Sequence, residues 1–398
     1  MKTNVAVIFG GHSTEHEVSV ISGIQAFCAL DTEKYNPVPV YITKDNEWYT
    51  GEDVGNIKAY ADLKTLLAKA TRVIPVPAGN GNVSLLCYPM KKFGKSEVAR
   101  FEVAIPVVHG TNVEDGTLMG YLEMLGVPYA SCDVTSSAIG MDKAVMKDVL
   151  RRAGIPVLDA YTFMASQYMA DSDAVVAHIE TSIGYPVIVK PVNLGSSVGI
   201  SKADDRDALI RALDNAIGYS PRVLVERAVP NLREINCAVL GDAEEAIASV
   251  CEEPLNATDI LTFEDKYKSG GKGAKGGAKS AGMADLKRRC PAELPDGMTE
   301  QVQELAVKTF QALDCLGVSR IDFLNDKETG ELWVNEINTI PGSLAFYLWE
   351  AAGIPFADLL DRMIGLAYAR QRRREQLTYS FDANLLAGAA AGLATGKK

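Results

Sequence analysis

Hydrophobic residues open this chain in one short, nearly unbroken run. Residues 4–9 (NVAVIF) are almost wholly apolar and end at Gly10-Gly11. A run of that kind suits a strand covered on both faces better than one half open to solvent. Helical spacing follows to about residue 30, further strand-like runs lie at 36–42 and 101–108, and a helical pattern covers 117–125. Strands alternating with helices predict an open parallel α/β domain over residues 1–132.

A helical pattern at 142–153 then leads to a strand at 186–191, a Gly/Ser turn at 195–199 and a helix at 204–217. These mark a small central unit, 133–220. Strands at 222–226, 233–240 and 244–251 and a long helix near 298–314 come next. Two more strands, 317–324 and 331–338, are joined by the turn Asn325–Gly330, and a helix at 354–370 completes a third unit, 221–375. The fold class is thus α/β and α+β. Two stretches have too little apolar surface to offset their own ordering. One is 268–283, with six glycines and no large aliphatic residue before Met283; it is expected to be a mobile lid. The other is the Ala/Gly-rich end of a flexible tail, 376–398.

Charge and composition narrow the function classes. The 398 residues carry 40 basic and 51 acidic side chains, a net −11, which disfavours nucleic acid or an anionic membrane as the main partner. No apolar run reaches the roughly 18–20 residues that span a bilayer. The seven cysteines are scattered and form no Cys-x-x-Cys, and the four histidines have no metal-ligand spacing. Reduced thiols in a cytoplasmic protein without a zinc site are the expectation.

Chemistry concentrates at the paired strands 317–324 and 331–338. Arg320-Ile321-Asp322 and Glu336-Ile337-Asn338 each put their first and third residues on one strand face. A hairpin would bring these four polar groups within about 5–8 Å. Two carboxylates and an amide oxygen are hard donors suited to Mg²⁺ shared with phosphates. Solvated strand positions show the same alternation, but the turn Thr339-Ile340-Pro341-Gly342 at the strand end favours a site. Pairing Asp322 with Val334 would cluster the donors, whereas a one-residue slip would turn them apart.

Val187–Pro191 ends an apolar strand on Lys190, a costly charge to bury unless an anion meets it. Next, Gly195-Ser196-Ser197-Val198-Gly199 offers backbone N–H groups to phosphates, although such turns also simply join strands. Lys143, at the start of the preceding helix, can add a second positive charge. Arg222–Glu226 and Arg227-Ala228-Val229 can present backbone groups to an adenine edge, with Glu226 available for the amino group or ribose. Gly10–Glu15 lies between the first strand and its helix, where open α/β sheets bind small ligands. The absence of Gly-x-Gly-x-x-Gly there argues against a dinucleotide. Glu15 either neutralises a substrate ammonium or serves as a helix N-terminal charge. His109 either reaches the same cleft or is a satisfied core histidine.

In their order these motifs resemble the D-alanine–D-alanine ligases of the ATP-grasp superfamily over nearly the whole chain. The stretches that carry the resemblance are GGHSTEHEVS (10–19), HGTNVEDG (109–116), GMDK (140–143), VIVKP with GSSVGIS, DKY (265–267), SRIDF (319–323) and NEINTIPG (335–342). The resemblance implies a Rossmann-like N-terminal domain followed by a two-subdomain ATP-grasp fold. It implies the joining of two D-alanines through an acyl phosphate, with ATP and two Mg²⁺ ions, Mn²⁺ being able to substitute. Lys143 and Lys190 would then meet the phosphates, Glu226 with the backbone of Arg227 to Val229 the adenine, and Glu234 the ribose, with Ser197 and Lys266 in the same nucleotide site. Asp322, Glu336 and Asn338 would carry the metal. Arg320 and the Gly342 N–H would stabilise the tetrahedral intermediate, while Glu15, Ser196 and Tyr267 place the first D-alanine. His109, Ser343, Tyr347 and Leu348 would fall at the substrate pocket.

Two departures stand out. The loop after Tyr267 is longer and richer in Gly and Lys than the family's usual lid. Tyr347 stands near where the family places a serine that holds the acceptor carboxylate. Tyr267 itself favours an amino-acid acceptor over D-lactate. A different acceptor, D-serine among them, and a non-catalytic nucleotide-binding relative are the competing readings. The family also implies a homodimer.

Overall fold

The structure, a computed structural model, describes residues 2–195, 198–255 and 288–379 and, in the tail, Leu386 and Ala389. The expected lid, Ser196, Ser197, Lys266, Tyr267 and most of the tail lie outside the described residues.

Residues 4–9 form the middle of β1 (Thr3–Gly10), which lies between β2 (Tyr35–Ile42) and β7 (Val103–Val107), parallel to both. Val5 to Phe9 are fully buried because helices cover the sheet on both faces, which is why the run does not alternate. The sheet does not stop at its parallel part. β3 (Trp48–Thr50), β4 (Thr71–Gly79), β5 (Asn82–Cys87) and β6 (Glu97–Phe101) extend it antiparallel in the order β6-β5-β4-β3-β2-β1-β7. Sequence reading found none of these four. Pro75 and Pro77 obscure the alternation of β4, and they are tolerated because β3 pairs only with residues 71–73, leaving that edge free of ladder donors. Helices α1 (His16–Ala29), α2 (Leu63–Lys69) and α3 (Thr117–Leu125) flank this sheet.

Next in the chain are α4 (Val134–Met141), α5 (Lys143–Arg152), β8 (Ala160–Met164), α6 (Ala165–Ala170), α7 (Ser172–Ser182), β9 (Val187–Pro191), β10 (Ser201–Ala203), α8 (Arg206–Ala216) and β11 (Arg222–Arg227). The four strands form one antiparallel sheet, β10-β9-β11-β8. The expected boundary at 220/221 therefore falls one strand early, since β11 pairs with both β8 and β9. The boundary at 133 is early for the opposite reason: Met146 and Leu150 of α5 are buried in the core of the third unit.

That third unit is the sheet β14-β13-β12-β15-β16, built from β12 (Leu232–Gly241), β13 (Ala246–Pro254), β14 (Arg288–Arg289), β15 (Gly317–Asp326) and β16 (Leu332–Asn338). Helix α9 (Met298–Ala312) covers one face with Val302, Ala306 and Phe310. The chain then returns to the first sheet. α10 (Phe346–Ala351) and α11 (Phe356–Glu375) bury Trp349, Leu359, Leu360 and Met363 in the same core as Val5–Phe9. α11 runs beyond the expected 370, its last turn carrying Arg372, Arg373 and Arg374, where positive charge suits the helix C-terminus.

Gly23 sits where α1 meets β1, and a Cβ there would run into the Phe9 side chain. Gly23→Ala should therefore lower the unfolding free energy by about 1–3 kcal/mol, seen as a lower urea midpoint. An unchanged midpoint would contradict this seating of α1.

Candidate active site

One cavity of about 870 Å³ is lined by all three units. Its floor is the β15–β16 hairpin. Arg320 pairs with Asn338 and Asp322 with Glu336. The even register anticipated from the sequence holds, but Asp322 faces Glu336 rather than Val334. A bulge accounts for the difference: Phe323 pairs with Val334, so Asn335 is an extra residue in β16. Arg320 grips Asp322 with two parallel bonds, Nε to Oδ1 and Nη2 to Oδ2, both 2.7 Å. Asn338 Nδ2 donates to Asp322 Oδ2 at 3.0 Å. Burial alone would work against the Arg320 charge, but Asp322 beside it holds the guanidinium firmly protonated.

These donors fit a hard divalent cation. Two carboxylates and an amide stand on alternate rungs of one strand pair, which share a face, and all three line the cavity. Among the described residues no three His, Cys, Asp or Glu side chains gather closely enough to hold a metal, so the amide would have to be the third donor.

Lysines form the facing wall. Lys143 Nζ lies 3.1 Å from Glu336 Oε2 and donates to the Leu194 carbonyl at 2.7 Å. Lys190 Nζ donates to Glu226 Oε1 and, at 2.8 Å, to Oδ1 of the bulged Asn335. The bulge therefore aims a side chain that regular pairing would have turned elsewhere. Glu226 is 1% exposed, and its other oxygen lies 2.9 Å from Lys147 Nζ. Burial would raise the Glu226 pKa, yet Lys147 and Lys190 together hold it at about 2. Its carboxylate thus meets two lysines, and Glu226 also lines the cavity. Arg227, Ala228, Val229 and Glu234 do line the cavity, and the Arg227 guanidinium stacks 4.9 Å from the Trp333 ring centroid.

The third wall comes from the ends of β1 and β7. Gly10 and Gly11 have φ of +94° and +103°, and a Cβ on Gly10 would strike the Ile42 carbonyl, so only glycine lets the chain turn here. The turn places Glu15, 7% exposed, between two glycines. A Cβ on Gly110 would lie 2.9 Å from its Oε2 and one on Gly195 2.6 Å. His109 meets both of its expected descriptions: it lines the cavity and is fully hydrogen-bonded. Nδ1 donates to the Ile340 carbonyl at 2.9 Å, and Nε2 accepts from Ser22 Oγ at 3.1 Å. Burial pushes its pKa down to about 4, the Arg320 charge acting the same way against the Ile340 bond. Ser22 in turn accepts the Ser343 N–H at 2.9 Å.

Glu114 closes the same junction. Oε2 accepts from Gly110 N–H at 2.9 Å, and Oε1 accepts from Ile340 N–H at 2.9 Å and the Thr339 hydroxyl at 3.2 Å. Burial, with the nearby Glu15 charge, pushes its pKa up to about 8. These bonds hold the chain after β16 in a strained form. Ser343, Leu344 and Ala345 have φ of +54°, +53° and +50°, three consecutive left-handed residues without a glycine.

Three expected substrate contacts lie outside the cavity. Ser343 is buried beneath Gly342 with its N–H on Ser22, and Leu348 is fully buried in the N-terminal core. Tyr347 points behind Arg320, its hydroxyl donating to Glu252 Oε1 at 3.0 Å, with the Arg288 guanidinium 4.1 Å over its ring. Burial and the Glu252 charge push the phenol pKa up, so it stays a donor. Glu252 also binds Arg288 Nη1 at 2.8 Å and Asn236 Nδ2 at 3.0 Å. Of the expected site, Glu15, His109, Lys143, Lys190, Arg320, Asp322, Glu336, Asn338 and Gly342 do come together. Sequence reading missed Lys147, Asn335, Glu252 and the part played by Glu114. Only Lys147 left a usable signal, one helical turn beyond Lys143.

The geometry can be set beside known proteins. A family model described as D-ala D-ala ligase N-terminus matches residues 4–132, and one described as D-ala D-ala ligase C-terminus matches 149–365. The D-alanine–D-alanine ligase of Caldicellulosiruptor bescii is 38% identical over 385 residues, covering 95% of this chain and 99% of its own. The solved D-alanine–D-alanine ligase from Coxiella burnetii superposes with a TM-score of 0.76 at 29% identity, covering 94% of this chain and 96% of its own. VanG D-Ala:D-Ser ligase from Enterococcus faecalis gives 0.74 at 31% identity, covering 92% and 100%.

The two shifted groups at the junction oppose each other below pH 6.5 and separate above it. His109 stays neutral when folded, so its stabilisation is present above the unfolded value of 6.5 and is lost as pH falls toward about 4. Glu114 keeps its proton when folded, so its contribution is full below 4.5 and is lost as pH rises through about 8. From pH 6.5 to 8 only Glu114 of this pair changes state. Over that window, unfolding free energy should fall less steeply with pH in Glu114→Gln than in the native protein. Equal slopes in denaturant titrations would refute the assignment.

Proposed function

The chain belongs to the D-alanine–D-alanine ligase family, and from that premise we propose that it joins two D-alanines at the expense of ATP. The products are D-alanyl-D-alanine, ADP and phosphate, made for peptidoglycan precursor synthesis by a homodimer in the cytoplasm. The observation that carries this reading is the convergence of Lys143, Lys190, Arg320, Asp322, Glu336 and Asn338 on one cavity.

Phosphoryl transfer between oxygens needs positioning and charge stabilisation more than covalent help from the protein. The donor D-alanine carboxylate attacks the γ-phosphorus of ATP, the bond to the β-phosphate oxygen breaks, and an acyl phosphate and ADP result. Lys143 and Lys190 take the phosphate charge in a wall that already excludes most water. Glu15 receives the donor ammonium. The neutral amine of the second D-alanine then attacks the acyl carbon, Arg320 and the Gly342 N–H stabilise the oxyanion, and the C–O bond breaks, phosphate leaving with the proton that the amine gives up. Asp322, Glu336 and Asn338 would hold Mg²⁺, which supplies neutralisation of the nucleotide's phosphate charge. The backbone of Arg227 to Val229 faces the adenine, and Glu234 the ribose.

A second acceptor has one observation in its favour, the similarity to a D-Ala:D-Ser ligase. Phosphate release should be measured with ATP and Mg²⁺ across a panel of D-amino acids. D-alanine alone should support turnover, and D-serine should add to it only as acceptor. No D-alanine-dependent phosphate would overturn the reading. Glu336→Gln should lower kcat on the order of 10²–10³-fold, and an unaffected kcat would remove Glu336 from the metal site.

A further inference from the structure

Lys147 has no place in the chemistry above, yet it is 2% exposed and belongs to a cluster that touches the cavity. It lies one helical turn after Lys143 on α5, so both project from one face of the helix. Lys143 reaches the cavity, whereas Lys147 lies behind its wall, 2.9 Å from Glu226 Oε2. The other Glu226 oxygen takes Lys190, which does line the cavity and is steadied by Asn335. Two buried ammonium groups thus share one carboxylate, joining α5, β9, β11 and β16.

The charge count explains the arrangement. Lys190 with Glu226 alone would be a neutral pair, and a carboxylate free to use both oxygens on one ammonium would draw Lys190 back from the cavity. Lys147 occupies the second oxygen and leaves the trio with a net charge of +1. A buried excess charge is unfavourable unless a counter-charge arrives, and Lys190 and Glu226 of this trio line the cavity, from which one can come. Burial pulls the Lys147 pKa below the ordinary lysine value and the Lys190 charge acts the same way, while the Glu226 carboxylate opposes both.

We propose that Lys147 is a positioning residue for nucleotide binding: by occupying Glu226 it keeps Lys190 extended and net positive toward the phosphates of ATP. The inference rests on the nucleotide reading of the cavity given above.

The test uses the full-length protein, with ATP and Mg²⁺ titrated calorimetrically in the absence of D-alanine. Lys147→Met makes the remaining pair neutral and should weaken ATP binding by roughly tenfold. The double variant Lys147→Met/Glu226→Gln restores a net +1 with Lys190 alone and should recover most of that affinity. A packing role for Lys147 predicts no such recovery, so the double variant separates charge from shape. If Lys147→Met does not fold, the comparison moves to Glu226→Gln, whose net +2 should bind ATP at least as tightly as the native protein. Native affinity in Lys147→Met, equal loss in the double variant, or weaker binding in Glu226→Gln would each overturn the proposal. Failure of the unmutated protein to bind ATP would overturn the nucleotide reading along with it; native ATP binding with an insensitive Lys147 would overturn this inference alone.

Discussion

The pairing of β15 with β16 governs where every charged group of the cavity can stand. Side chains alternate across a strand, so an odd slip would have turned Asp322, Glu336 and Asn338 toward the α9 side. The observed even register puts Arg320 beside Asn338 and Asp322 beside Glu336. A bulge at Asn335 then breaks the regularity at one place. It turns the Asn335 amide toward Lys190 and so ties the third sheet to the central one.

Each buried charge around the cavity is held by a different kind of partner. Asp322 is gripped by a guanidinium two residues away on its own strand, a match of two planar forks that lysine could not make. Glu226 is held by two ammonium groups from separate elements. Glu114 is held by backbone N–H groups and a hydroxyl, and it keeps its proton. Through Glu114 and His109 the N-terminal unit grasps the chain just after β16 and stabilises three left-handed residues there. The position of Gly342 is consequently set by residues more than two hundred positions earlier.

Behind Arg320 the structure departs from a simple acceptor pocket. Tyr347 is engaged by Glu252, which Arg288 and Asn236 also hold, so among the described residues its hydroxyl belongs to a polar network. The sequence departure noted at position 347 thus has a structural counterpart: a larger side chain anchored away from the cavity.

Much of this was legible in the residues alone. The unbroken run before Gly10-Gly11 determined a doubly covered strand, and strand alternation determined which faces Asp322, Glu336 and Asn338 share. The lysine within VIVKP marked a buried charge that needs a partner, which the fold supplies in Glu226. Local patterns carried these features because neighbouring residues generate them. Tertiary structure decided the rest. Four antiparallel strands escaped notice: β4 because Pro75 and Pro77 interrupt its alternation, the other three because each is short, 3, 6 and 5 residues. No local pattern assigns Glu226 to Lys147 and Lys190, Tyr347 to Glu252, or Leu348 to the core beneath β1. Those pairings join residues dozens to hundreds of positions apart, and it is the packing of three sheets around one cavity that brings them together.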